Sequence, residues 1–329
     1  MHSAIRLFAH PASHVGDWLN FVITNRLPRR AASRLMLRLS RIENPVFATP
    51  ALWLWQNIAG LDLADARNTN FKSIHDCFIR ELKAGARPVD DATQALVAPC
   101  DGHIVAAGQI SDGQLLQVKG SYYALSELIG NEELAKKFEG GTFITIRITS
   151  SMYHRMHAPV QIQPNRVDYI PGDSFNVNPQ TLRHVDGVYC KNERAVIHAT
   201  AQFDGSKFEL LIVPVAAILV GGIVLRCLPG TGNDTVLQEW ALNEPEGWTT
   251  GARPKHITHL SPEARRSLDK GEELGRFEHG STIVLVLPEN PTIQLTVSSG
   301  EQVQVGQRLA TATTHNPLTT SDKISRRTS

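Results

Sequence analysis

The sequence predicts an α+β protein, a mainly antiparallel β-sandwich core preceded by amphipathic helices. Three stretches carry that prediction. Thr142 to Thr149 alternates, with Ile144, Ile146 and Ile148 on one face and Thr145 and Arg147 on the other, which is the period of a strand. Ile283-Val284-Leu285-Val286-Leu287, closed by Pro288, is an apolar β-branched run that reads as a buried strand. From Arg26 to Arg41, six arginines and no acidic residue accompany Leu35, Leu39 and Ile42 at helical spacing. The chain therefore divides into a helical region, residues 1–68, and a β-rich domain, residues 69–329.

In the helical region, Trp18, Phe21, Trp53 and Trp55 flank the basic segment. Arginine on one face with leucine and tryptophan on the other suits an interfacial helix on anionic lipid. The same residues also suit a solvated arginine-rich helix packed on the domain. Phe71, Ile74, Phe78 and Leu82 then predict a helix, with Asn68 or Asn70 as its cap, ending in the loop Lys83 to Pro88. Beyond it come strands at Ala195–Phe203, Phe208–Val213, Ala216–Leu225, Thr282–Leu287 and Thr292–Val297. Lys270-Gly271-Glu272-Glu273-Leu274-Gly275 is echoed by Val305-Gly306-Gln307-Arg308-Leu309-Ala310, each a glycine turn leading into a strand. Paired turns of this kind occur in biotinyl and lipoyl carrier domains, so the β core is expected to share features with them. The tail from His315 to Ser329 is polar and expected to be disordered.

Composition narrows the function. A formal net charge of +1 gives no reason to expect a nucleic-acid partner. The cysteines, Cys77, Cys100, Cys190 and Cys227, form no Cys-x-x-Cys pair, which argues against zinc and suits a reducing compartment. No secretory signal is evident in the first thirty residues. The longest uncharged run, Leu210 to Leu225, has 16 residues interrupted by Pro214, Gly221 and Gly222, short of the roughly 20 that a spanning helix needs. Its valines and isoleucines predict two buried strands joined at a bend.

Candidate chemistry centres on Phe277-Glu278-His279-Gly280-Ser281-Thr282, directly before the buried strand. By itself Gly280-Ser281 is also an ordinary turn pair. Three clusters could converge on it: Asp101-Gly102-His103, Tyr153-His154-Arg155-Met156-His157, and Lys191-Asn192-Glu193-Arg194. Each has a plainer reading. Asp101-Gly102 is a turn signal, His154 and His157 lack a third partner at metal-ligand spacing, and Asn192-Glu193-Arg194 suits a local salt bridge.

Taken together and in order, these motifs resemble the phosphatidylserine decarboxylases. The resemblance runs from about Phe71 to Leu309. Phe78-Ile79-Arg80-Glu81-Leu82 with Arg87-Pro88 is similar to the family's opening helix and Arg-Pro turn. Asp101-Gly102, Gln117-Val118-Lys119-Gly120, Tyr153-His154-Arg155-Met156-His157, Asn192-Glu193-Arg194, Val220-Gly221-Gly222 and Gly280-Ser281-Thr282 follow in register. The family commonly has Leu-Gly-Ser-Thr at the last motif, where this chain has His279 in place of leucine.

The resemblance implies self-cleavage between Gly280 and Ser281, giving chains 1–280 and 281–329. Ser281 then becomes a pyruvoyl group, which takes the phosphatidylserine amine as an imine and allows CO2 to leave. It implies His157 as the base that activates Ser281, Asp101 as the acid that orients His157, and His154 as the residue of the decarboxylation step. Neither pyridoxal phosphate nor a metal is expected. The implied partners are phosphatidylserine in an anionic membrane, the two chains of one precursor, and a second copy in a homodimer. The implied location is peripheral, on the cytoplasmic face of the cell membrane. Two rival readings are a Ser-His-Asp hydrolase, for which the Gly-x-Ser-x-Gly elbow is missing, and a biotinyl or lipoyl carrier, for which no Met-Lys pair marks a turn tip.

Overall fold

The computed structural model describes residues 29–118, 120–203, 206–217, 222–226, 235–236, 256–261, 265–278, 281–289 and 292–313. Trp18, Phe21, Arg26, Lys119, Val220, Gly221, Cys227, His279, Gly280 and the tail from His315 lie outside them, and Ser281 is described by its backbone.

Local chemistry sets the helices. Helix α1 is Arg29–Ser40 and α2 is Pro45–Ala59. Asn44 caps α2 through Oδ1, which accepts from the Val46 amide at 3.0 Å, and Gly60 closes it at φ 61°. Helix α3, Ile74–Phe78, is shorter than its apolar spacing predicts, and its cap is Ser73 in place of Asn68 or Asn70. The helix stops because the Ile79 and Arg80 carbonyls are taken by the Arg155 guanidinium. Leu82 instead forms an antiparallel bridge with Ala66.

Strands β1 (Ala95–Val97), β2 (Gly102–Gln109), β3 (Gln114–Val118) and β4 (Ser121–Ala124) follow. Helices α4 (Leu125–Ile129) and α5 (Glu132–Lys136) separate them from β5 (Thr142–Arg147), β6 (Arg155–His157) and β7 (Gln161–Ile170). After α6 (Pro179–His184) and α7 (Val188–Lys191) come β8 (Arg194–Phe203), β9 (Ser206–Ala216) and β10 (Ile223–Leu225). The chain continues through β11 (Thr235–Val236), β12 (His256–His259), β13 (Glu273–Phe277) and β14 (Ser281–Leu287). It ends in β15 (Thr292–Leu295), β16 (Gln302–Val303) and β17 (Arg308–Thr313).

An eight-stranded antiparallel sheet, in the order β12-β7-β8-β9-β14-β5-β2-β16, forms the centre. It is buried on both faces, so β14 is apolar without a break from Ile283 to Leu287 where a one-sided strand would alternate. One face, with Ile144, Ile146, Ile212, Ile283 and Leu285, packs against the four-stranded sheet β11-β10-β13-β6 and the three-stranded sheet β1-β17-β15. The other face, with Phe143, Leu211, Val213, Val284 and Val286, packs against α4, α7 and the β3–β4 hairpin. The mixed α and β content and the antiparallel pairing agree with the sequence reading. The bend expected near Pro214 falls later: β9 runs through Pro214 to Ala216.

The glycine echo has a physical basis. Gly271 (φ 82°) and Gly306 (φ 86°) both turn against the Pro88-Val89 segment. A Cβ at Gly271 would meet the Val89 side chain at 2.6 Å, and one at Gly306 the Pro88 carbonyl oxygen at 2.5 Å. Only glycine fits either turn.

Candidate active site

Strand pairing gathers the motif residues at one end of the central sheet. Ser281 opens β14 opposite Ala216 of β9, and Thr282 lies between Val215 and Arg147 of β5. Arg147 in turn pairs with His103 of β2, two residues after Asp101. Gly102 is required there, since a Cβ would lie 2.6 Å from Ile146 Cγ2 and 2.8 Å from the Arg147 carbonyl. The bond to Ser281 therefore falls where the chain crosses from β13 in the small sheet to β14 in the large one.

The approach to that crossover is tightly held. The Phe277 amide donates to the His154 carbonyl at 3.0 Å, and the Glu278 amide to the Gly222 carbonyl at 3.0 Å. His154 is fully buried, its ring against Phe78 with centroids 3.8 Å apart. Arg155 clamps the end of α3 and also forks onto Glu273 of β13 at 2.9 and 3.0 Å. Arg80 donates to the Ser151 and Met152 carbonyls at 2.9 and 3.1 Å, fixing the turn before Tyr153.

His157 is oriented by a carbonyl. Its Nδ1–H donates to the Gly271 oxygen at 2.8 Å, and Nε2 lies 3.2 Å from the Tyr153 hydroxyl. Burial lowers the His157 pKa below its usual 6.5, only partly opposed by the Gly271 hydrogen bond. A neutral ring with Nδ1 protonated presents Nε2 as a base.

Asp101 is nearby but bonded elsewhere. The Arg87 guanidinium forks onto it at 3.0 and 2.7 Å, and the Val305 amide donates to Oδ1 at 2.9 Å. Arg87 also reaches Asp65 at 2.8 Å. Burial opposes the Arg87 charge, yet the two carboxylates hold its pKa above the usual value. Among the described residues, Asp101 acts on His157 through its field and not through a hydrogen bond.

The third cluster is a scaffold. Asn192 Nδ2 donates to the Ala216 carbonyl at 2.8 Å, bracing the residue paired with Ser281. Arg194, 1% exposed, saturates the carbonyls of Glu127, Leu128, Cys190 and Asn192. Its bonds run to backbone oxygens, so the expected local salt bridge is replaced by helix-end capping. Gln117 likewise bonds Leu182, Val185 and Val188.

The family model described as phosphatidylserine decarboxylase matches residues 74–311. The chain belongs to that family. A phosphatidylserine decarboxylase proenzyme of Shewanella sp. strain ANA-3 is 33% identical over 287 residues, covering 83% of this chain and 89% of the relative. The Shewanella sp. strain MR-7 protein of the same name shows the same identity and coverage. That of Shewanella baltica strain OS155 is 31% identical over 309 residues, covering 90% and 96%.

Within this decarboxylase fold, one residue near the crossover escaped the sequence reading. Glu278 is 2% exposed and meets Arg41 at 3.0 Å, Arg276 at 3.3 Å and the His75 ring. Burial works against its charge, but the His75 hydrogen bond and the surrounding cations outweigh it and hold the pKa at about 2. A lone acidic residue before His279-Gly280 gave no pattern to find it by. Two of its partners, His75 and Arg41, lie 203 and 237 residues away in the chain.

Proposed function

We propose that this phosphatidylserine decarboxylase cuts itself between Gly280 and Ser281 and then converts phosphatidylserine to phosphatidylethanolamine. The observation that carries the reading is the position of Ser281: first residue of a central strand, at the crossover that follows β13, itself paired with the Tyr153–His157 segment. His157 Nε2 takes the Ser281 hydroxyl proton, while the Gly271 carbonyl fixes Nδ1–H and the Asp101 field favours the resulting imidazolium. The hydroxyl oxygen attacks the Gly280 carbonyl carbon. The proton passes to the departing amide nitrogen, and the C–N bond breaks to leave an ester.

Loss of the Ser281 α-proton then breaks the Cβ–O bond, leaving Gly280 as a carboxylate and dehydroalanine at 281. Water converts that residue to a pyruvoyl group, with release of ammonia. The surroundings fit such a group: residue 281 keeps its partner Ala216, itself braced by Asn192. When present, the pyruvoyl group supplies a ketone for the substrate amine and an electron sink for the loss of CO2. His154, buried against Phe78 next to the strand that leads to the cut, returns a proton to the substrate Cα.

The helical region docks on anionic membrane. Leu35, Leu39, Val46, Phe47, Trp53 and Leu54 are exposed on α1 and α2, Val46 at 85% and Trp53 at 64%. Exposed apolar side chains together with the exposed Arg38 of α1 suit the lipid interface. No helix among the described residues is long and apolar enough to cross a membrane. A peripheral enzyme on the cytoplasmic face, working as a homodimer, is consistent with a lipid substrate. The turns at Gly271 and Gly306 support the carrier-like reading of this part of the fold.

Intact mass of the purified protein tests the central reading. Two chains, 1–280 and 281–329, are expected, the smaller blocked at its N-terminus by a pyruvoyl group. A single uncut chain that still decarboxylates phosphatidylserine would refute it.

A further inference from the structure

Among the described residues, the buried guanidiniums of Arg80, Arg155 and Arg194 are each anchored by several hydrogen bonds. Arg155 and Arg194 give their donors to carbonyls and carboxylates, and Arg80 gives Nη1 and Nη2 to the Cys77, Ser151 and Met152 carbonyls while its Nε has no partner among the described residues. Arg147 is half-buried at the end of β5, and among the described residues its guanidinium makes no hydrogen bond or ion pair. It pairs with Thr282 on one side and His103 on the other. Directly paired strand residues have Cα atoms about 5 Å apart, and Ser281 is one residue, about 3.8 Å, further along.

Arg147 shares its face of the sheet with Phe143 and Thr145, the face covered by α4, α7 and the β3–β4 hairpin. Four buried hydroxyls on this face, those of Tyr123, Thr145, Tyr189 and Thr282, have no hydrogen-bond partner among the described residues. The Tyr123 and Thr145 hydroxyls lie side by side without hydrogen-bond geometry. Tyr189 and His103 both lie within the field of the Arg147 charge. A cation with no anion, set among hydroxyls with no acceptor, is costly to bury unless a ligand completes it.

We infer that Arg147, with the hydroxyls of Thr282 and Tyr189, forms an oxyanion site that holds the phosphodiester of the lipid headgroup. The inference rests on the decarboxylase reading and adds the group that places the substrate. A guanidinium fork and neutral donors match phosphate oxygens. The substrate carboxylate is the poorer occupant, because it leaves as neutral CO2 and a cation held on it would stabilise the ground state. The phosphodiester keeps its charge throughout, so gripping it fixes the amine near residue 281 without opposing the reaction.

The test uses R147Q and R147K in the full chain. Appearance of the 1–280 and 281–329 chains on a gel confirms that each variant has folded and matured. L-serine or glycerophosphoserine is then trapped reductively on the small chain, and labelling is read by intact mass. In R147Q, glycerophosphoserine labelling is expected to fall about tenfold or more, with R147K between, while L-serine labelling is unchanged. Inorganic phosphate should slow glycerophosphoserine labelling of the wild type and have little effect on R147Q. Equal loss for both ligands, or no loss for either, overturns the phosphate assignment, as does a variant that fails to mature in both forms. A wild-type chain that stays uncut and takes no label sinks the decarboxylase reading, and the site falls with it.

Discussion

Replacing Glu278 with glutamine keeps its shape and removes its charge two residues before the Gly280–Ser281 bond. Its carboxyl is drawn from an ordinary 4.5 to about 2, which corresponds to about 3 kcal/mol of stabilisation of the folded, ionised form. Because the folded pKa is depressed, that stability is present above pH 4.5 and is lost as pH falls toward 2. The cleanest background is Ser281→Ala, which keeps every molecule a single chain. There, E278Q should lower stability at pH 7 by about 3 kcal/mol in a denaturant melt, with the gap narrowing steadily below pH 4.5. Arg41→Ala should cost much less, about 0.5 kcal/mol, because the Arg41 side chain is 53% exposed and screened. With Ser281 restored, E278Q should slow self-cleavage by up to ~100-fold, the scale of a misplacement of about 1 Å. A pH-independent loss, or a variant within 1 kcal/mol of its parent at pH 7, would show that the His75–Arg41–Arg276 cluster does not hold the crossover (roughly the error of such melts).

The histidines should separate by phenotype: His157→Ala and Asp101→Ala stay uncut on a gel, slowed 10²–10⁴-fold as is usual for loss of a base (~10³). His154→Ala should cut into two chains yet release no CO2 in a radiometric assay, and the reverse pattern would exchange the assignments. Because burial lowers the His157 pKa, the ring is neutral at and somewhat below pH 6.5, so the self-cleavage rate should begin to fall only below that pH. A rate that halves at or above pH 6.5 contradicts this placement of the base. Liposome flotation should show binding to anionic vesicles that weakens with salt, since exposed charges are screened beyond ~8 Å at physiological ionic strength. A Trp53→Glu/Leu54→Glu double variant should bind less, and equal binding to neutral vesicles would refute the electrostatic part.

Much of the fold was legible in the sequence because the signals are local. The alternation at Thr142–Thr149 and the unbroken run at Ile283–Leu287 became the adjoining strands β5 and β14. The glycine echo at Gly271 and Gly306 marked two turns against one segment, since only a missing Cβ allows that approach. What stayed hidden depends on groups without sequence pattern. The apolar spacing from Phe71 to Leu82 could not reveal that Arg155 would take the Ile79 carbonyl and stop the helix. The acceptor that orients His157 is a backbone oxygen, a group every residue carries, so no side-chain type marked it in the sequence. Asp101 was found as an acid beside a turn, but its fork with Arg87 needed the chain folded back on itself.

The crossover at Ser281 also decides the order in which the molecule can be built. Residues beyond the cut supply β14 to the middle of the eight-stranded sheet, β16 to its edge, and β15 and β17 to the three-stranded sheet. β14 alone is laced to β9 on one side and β5 on the other along nearly its whole length. A nick before this strand severs the covalent thread while leaving every ladder intact, so the fragment cannot diffuse away unless the sheet itself opens. The same geometry runs in reverse. Chains 1–280 and 281–329 produced separately would have to insert a central strand between two preformed neighbours, so the precursor is the route to the mature protein.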